Sequence, residues 1–230
     1  MKMGKVLILG AAALLLVATS AMAANSLTVN GAAALNNTTF GLQVTVDGSS
    51  NNVFVESQHP TGESHYRALF FVCPASLSLN PNSSVRMGAI GDNALGQHIV
   101  IFMRRDVTGG GTDQWLLNTW VSVSDVAPSS YMFGTSTFVA LNAAGAESCA
   151  TTSPAHRWFE IEYTAGTGAD GQLAVRRLVY MGSPLVEKFV NNRNTDALVV
   201  DNARFGAIAG SGANATAASS YYFDEFESYR

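Results

Sequence analysis

Short runs of alternating apolar and polar residues, broken every ten or so positions by turn residues, recur from about residue 40 to the end of the chain. This pattern dictates strands, because successive side chains of a strand point to opposite faces. In 40–46, Phe40, Leu42, Val44 and Val46 alternate with Gly41, Gln43 and Thr45, and Asp47-Gly48-Ser49 supplies the turn. Tyr66 to Val72 is apolar on nearly both faces, as a central strand would be. In 98–103, Ile99, Ile101 and Met103 alternate with His98, Val100 and Phe102. In 114–124, Trp115, Leu117, Val121 and Val123 oppose Gln114, Asn118, Trp120, Ser122 and Ser124. In 156–164, Phe159, Ile161 and Tyr163 oppose His156, Trp158, Glu160, Glu162 and Thr164. A glycine-rich connector leads to 172–181, where Leu173, Val175 and Val179 mark the apolar face. Further strands are expected at 185–190, 197–200, 203–209 and 220–229. The fold class is therefore all-β, a two-sheet antiparallel jelly-roll sandwich in which each sheet buries one face. A membrane barrel is disfavoured, because the polar faces are too hydrophilic to meet lipid.

The first 23 residues read differently. Lys2 and Lys5 precede an apolar run from Val6 to about Ser20, and Ala21-Met22-Ala23 offers small residues where a signal peptidase cuts. The run is short for a spanning helix, which needs roughly 20 apolar residues. The expected organisation is a signal peptide over 1–23 and a single domain over 24–230, with no transmembrane segment after cleavage. The destination is secreted or periplasmic.

Charge narrows the partners. Without Lys2 and Lys5 the balance is 11 basic against 17 acidic residues, from totals of 13 and 17. An acidic chain lacking a basic cluster is a poor nucleic-acid binder, since phosphate neutralisation supplies most of that affinity. The two cysteines, Cys73 and Cys149, are expected to form a disulfide in an exported chain.

Three segments in order resemble the concanavalin A-like lectin/glucanase superfamily in its laminin G-like bacterial branch. They are Glu63-Ser64-His65-Tyr66-Arg67-Ala68-Leu69-Phe70-Phe71; His156 to Tyr163 followed by a glycine-rich turn and Gln172-Leu173-Ala174-Val175; and Tyr221-Tyr222-Phe223-Asp224-Glu225-Phe226-Glu227-Ser228. The resemblance implies a jelly roll whose concave sheet often binds glycans, sometimes beside a calcium ion. One departure is Gly182-Ser183-Pro184, where many relatives carry an Asp-Gly turn.

Two indoles on polar faces, Trp120 and Trp158, are candidate platforms for sugar rings, with neighbouring polar groups to bond hydroxyls. The structural alternative is that loops cover them. Glu160 and Glu162 project the same way, and a retaining glycosidase needs two carboxyl groups about 5–5.5 Å apart. Laminarinase-type members of the superfamily carry a third acid that Tyr163-Thr164-Ala165 does not provide. A hairpin centred near Gly168 sets Glu160 opposite Arg176, an arrangement that opposite charges explain without catalysis. No zinc-ligand spacing, nucleophile elbow or phosphate loop occurs. No cofactor is expected, with calcium the option left open by the oxygen-rich residues around Asp47, Asp106 to Asp113 and Asp224.

The leading expectation is a non-catalytic extracytoplasmic domain that binds a glycan or surface protein through Trp120, Trp158, Glu160, Arg176 and Tyr180. The alternatives are a polysaccharide-cleaving enzyme of the same superfamily and a structural envelope protein without ligand.

Overall fold

A computed structural model describes residues 24–35, 38–93, 96–107, 114–122, 124–125, 131–132, 139–143, 149, 158–168, 170–178, 184–191, 194–209 and 211–230. The segment 1–23, expected to be a signal peptide, lies outside them. Fourteen strands are described: β1 (Ser26–Asn30), β2 (Gly41–Val46), β3 (Val53–Glu63), β4 (His65–Cys73), β5 (Ser84–Asp92), β6 (Gly96–Asp106), β7 (Gln114–Ser122), β8 (Tyr131–Met132), β9 (Val139–Ala143), β10 (Trp158–Thr164), β11 (Gln172–Leu178), β12 (Pro184–Asn191), β13 (Val200–Ala207) and β14 (Ser219–Tyr229). They form two antiparallel sheets. The first runs β1-β2-β14-β4-β10-β11-β12 and the second β3-β13-β5-β6-β7-β8, with β9 also pairing β7. The expected all-β jelly-roll sandwich is the architecture found. Among the described residues no helix is long and apolar enough to cross a membrane.

The alternation explains the packing. Phe159, Ile161 and Tyr163 of β10 meet Ile99, Ile101 and Met103 of β6 and Trp115, Leu117 and Val121 of β7 in one core between the sheets. Each such side chain contributes roughly 1.5–3 kcal/mol by leaving water. Tyr163 carries a hydroxyl into this core and donates it to the Leu198 carbonyl at 2.8 Å; burial pushes its pKa up to about 12.

Two expectations need correction. The strand expected at 197–200 is a turn, closed by the Leu198 N–H on the Thr195 carbonyl at 3.0 Å, and β13 starts only at Val200. His98 does not face away from Ile99. The pairing passes from Ile90–Ile99 to Gly91–Gln97, so His98 is an extra residue on β6. This bulge turns it inward, where its ring meets Tyr163 at 5.4 Å between centroids.

A second bulge matters for the site. On β14, Asp224 pairs with Phe71, yet Glu227 pairs with Leu69, so three steps on one strand match two on the other. Glu225 absorbs the kink at a φ of 47°, a left-handed conformation uncommon outside glycine. Beyond the kink, Glu227 and Tyr229 take the outward face that Tyr222 and Asp224 hold before it.

The expected disulfide is present: Cys73 at the end of β4 is bonded to Cys149. Gly41 marks where the segment 31–35 crosses the outer face of the first sheet. A Cβ there would lie 2.0 Å from the Ala33 carbonyl oxygen, so only glycine fits. Asp224 fixes this crossing by accepting the Leu35 N–H at 2.7 Å and the Thr38 hydroxyl.

Candidate functional site

The site is built on the outer face of the first sheet, where β4, β10, β11 and β14 lie side by side. Because side chains alternate, His65, Arg67, Leu69 and Phe71 of β4 share that face with Trp158, Glu160 and Glu162 of β10, Arg176 of β11, and Glu227 and Tyr229 of β14. The register brings Arg67 opposite both Glu162 and Tyr229, and Glu160 opposite Arg176.

The four oxygens of Glu160 and Glu162 are held by three side chains, Arg67, Arg176 and His65. Glu160 Oε2 accepts from Arg67 Nε at 2.6 Å and from Arg67 Nη2; Glu160 Oε1 accepts from Arg176 Nη1 at 2.5 Å. Glu162 Oε2 accepts from the same Arg176 Nη1 at 2.5 Å, and Glu162 Oε1 lies 3.0 Å from His65 Nε2. The chain of contacts runs His65–Glu162–Arg176–Glu160–Arg67 and ends on Tyr229, whose ring sits 5.4 Å below the Arg67 guanidinium. The Tyr229 hydroxyl donates to Glu227.

Exposure divides these groups. Glu160 is only 3% exposed. The side chains of Arg67 and His65 are 40% and 47% exposed, and Tyr229 is 46% exposed. A buried carboxylate therefore anchors a guanidinium that solvent, and any ligand, can reach. The hydrogen bond from Arg176 holds the Glu162 carboxyl below the usual carboxylate range, against the opposing effect of partial burial. Its bond to Glu227 raises the Tyr229 phenol, which is thus protonated at neutral pH.

A glycosidase reading of Glu160 and Glu162 does not survive this geometry. A general acid needs a raised pKa and a free proton to deliver. Glu162 is shifted the wrong way, and both Glu160 oxygens are occupied by guanidinium donors.

The structure brings together Trp158, Glu160 and Arg176 of the sequence-derived group. It separates Trp120, which lies on β7 in the second sheet and packs on Phe102 at 4.1 Å between ring centroids. Alternation assigns a residue to a face but not to a sheet, and that is why Trp120 was drawn into the group. Tyr180 lies outside the described residues. Trp158 forms part of a wall rather than an open platform. Its indole stacks on Phe71 at 5.4 Å and 12°, in an apolar cluster with Leu35, Cys73, Cys149 and Tyr222. His65, Arg67 and Tyr229 were not singled out as site residues. The only signal for them was parity: His65 and Arg67 are two apart on one strand within a segment already quoted for its resemblance.

No group of three or more His, Cys, Asp or Glu converges on a metal-binding arrangement among the described residues. Asp47 and Asp224, considered as calcium ligands, accept the backbone N–H groups of Ser49 and Leu35. A separate cavity of about 400 Å³ opens near β1, β2, β3 and β14. Its walls include Phe70, Phe205, Phe223 and Phe226, and two of its carboxylates are committed, Glu56 to Arg204 and Asp224 to Leu35 and Thr38.

No protein-family model and no curated sequence matches the chain. Solved structures do. The endo-β-1,4-glucuronan lyase of the fungus Trichoderma reesei superposes with a TM-score of 0.53 at 12% identity, over 90% of this chain and 87% of the other. Alginate lyase vAL-1 from Chlorella virus gives 0.47 at 11% identity, over 90% and 88%. A β-1,3-glucanase from Mycobacterium marinum gives 0.36 at 10% identity, over 82% and 74%. The likeness shows the fold alone, a two-sheet jelly-roll sandwich. This corrects the expectation of a non-catalytic binding domain in favour of its enzyme alternative: the structure that superposes at a TM-score of 0.53 is named as a lyase.

Proposed function

We propose that the protein is an extracytoplasmic polysaccharide lyase that cleaves a uronic-acid-containing chain by β-elimination on the outer face of the first sheet. The observation that carries this reading is the Arg67 guanidinium, gripped on its Nε–Nη2 edge by buried Glu160 and open on its other side, beside an exposed imidazole and an exposed phenol.

The chemistry asks three things of a site: a cation on the uronate carboxylate, a base for the proton on the adjacent carbon, and an acid for the departing glycosidic oxygen. Arg67 offers a fork suited to a carboxylate, and its positive charge stabilises the anion that develops as the proton leaves. His65 is the base. With Nε2–H donating to Glu162, the lone pair stands on Nδ1, the tautomer this partner selects. Tyr229 is the acid, protonated at neutral pH and directly across the sheet from Arg67. His65 takes one proton, Tyr229 gives one, and the C–O bond is exchanged for a C4–C5 double bond; no water is consumed. Cys73–Cys149 and the leader-like start fit a place of action outside the cytoplasm.

The test incubates the protein with glucuronan, with alginate and with neutral β-glucans. Ultraviolet absorbance of the unsaturated product is followed alongside new reducing ends. Elimination raises both in step on an acidic polymer. New reducing ends without the absorbance would make the protein a hydrolase, and neither signal on any polymer would end the proposal.

A further inference from the structure

We infer that Glu160 is a positioning residue for Arg67: it makes the enzyme selective for carboxylate-bearing sugars without touching them, an assignment that rests on the lyase reading above. The register gives Arg67 a nearer carboxylate. Its direct neighbour on β10 is Glu162, yet its Nε and Nη2 turn to Glu160, one position diagonal along the strand. The reason lies in the other contacts, because the Glu162 oxygens are held by Arg176 and by His65. Arg176 is itself shared between the two glutamates and less exposed than Arg67. It fixes the far oxygen of Glu160 and so fixes the near one against Arg67.

Loss of Glu160 has an uneven result. Arg176 keeps Glu162 as a partner. Arg67 keeps the Tyr229 ring, which holds the guanidinium plane but does not choose which edge points outward. Since Glu160 is buried, its influence on a ligand passes through Arg67. A cross-strand ion pair that only stabilised the sheet would lower the unfolding temperature and leave ligand selectivity untouched.

The experiment measures binding of a glucuronate tetramer and of its carboxyl-reduced counterpart to the full-length protein by calorimetry, with turnover of glucuronan in parallel. Glu160→Gln keeps the length and removes the charge; Glu160→Asp keeps the charge and withdraws it by one methylene. Both variants are expected to lose at least tenfold in affinity for the acidic tetramer and to bind the reduced one as wild type does. Turnover is expected to show KM raised by a similar factor and kcat changed much less. A variant that folds and keeps the wild-type preference within twofold overturns the inference while leaving the lyase reading intact. A wild-type protein that does not distinguish the two tetramers overturns both. If Glu160→Gln fails to fold, Glu160→Asp alone decides, and Arg67→Lys with Glu160 intact gives the same loss of preference if the edge held by Glu160 is what matters.

Discussion

The two sheets turn guanidinium groups outward in different company. On the second sheet, Arg86 lies over the Phe102 ring at 5.4 Å, Phe102 packs on Trp120, and Arg204 lies over Phe54 at 5.0 Å. On the first sheet, Arg67 and Arg176 are interleaved with two glutamates, an imidazole and a phenol. The strands of both alternate alike, so alternation did not create the difference. Across the strand Arg86 meets the Phe102 ring, whereas Arg67 and Arg176 meet Glu162 and Glu160. A cation on an aromatic ring shields apolar surface, whereas cations and carboxylates threaded in series hold one another at fixed angles. Only the second arrangement prepares a site.

The largest expected effect tests this contrast directly. Arg67→Ala should lower the rate on an acidic polysaccharide by about 10³-fold, the upper range for removal of one charge-stabilising donor, while Arg86→Ala should change it by less than about twofold, as expected for a residue remote from the reacting groups. Equal losses in steady-state assays would break the comparison. Next comes the bridge that staples the first sheet's outer face. Its 76-residue separation corresponds to about 4 kcal/mol of stability on the chain-entropy account, so the double variant Cys73→Ser, Cys149→Ser should unfold in urea with a stability lower by that order.

The second sheet has its own liability, in His98. Burial pushes its pKa down to about 4 from an ordinary 6.5, with Asp92 and Asp201 opposing that shift. The unfolded chain therefore binds a proton that the folded one refuses. Stability is complete above pH about 6.5 and falls as the pH drops toward about 4, by roughly 3 kcal/mol in all. Denaturant titrations across that window should show the slope, and His98→Leu should flatten it. The smallest effect is expected where the second sheet does pair charges: Arg204→Ala removes the partly exposed Glu56 contact and should cost below about 1 kcal/mol.

Much of the scaffold was legible in the residues. The β10–β11 hairpin sets Glu160 against Arg176 as its turn and parity demand. Phe159, Ile161 and Tyr163 were inward by alternation and are so. What local pattern cannot carry is which strands, far apart in the chain, become neighbours. Trp120 was assigned the correct face of its strand but belongs to the other sheet. Tyr229 reaches Arg67 across 162 residues of sequence, through a pairing no local pattern encodes. His98 shows the second limit: one unpaired residue on β6 reverses parity, and Gly96-Gln97-His98 gives no sign of it.

The kink at Glu225 has the same arithmetic with a different outcome. It shifts by one the count that decides which side chains of the last strand look outward, so the phenol at 229 owes its place to a single supernumerary residue four positions upstream. Were β14 to run unkinked with every residue retained, Ser228 would face outward there and Tyr229 would turn into the sandwich. The outward place of the phenol is thereby specified by the kink as much as by side-chain identity.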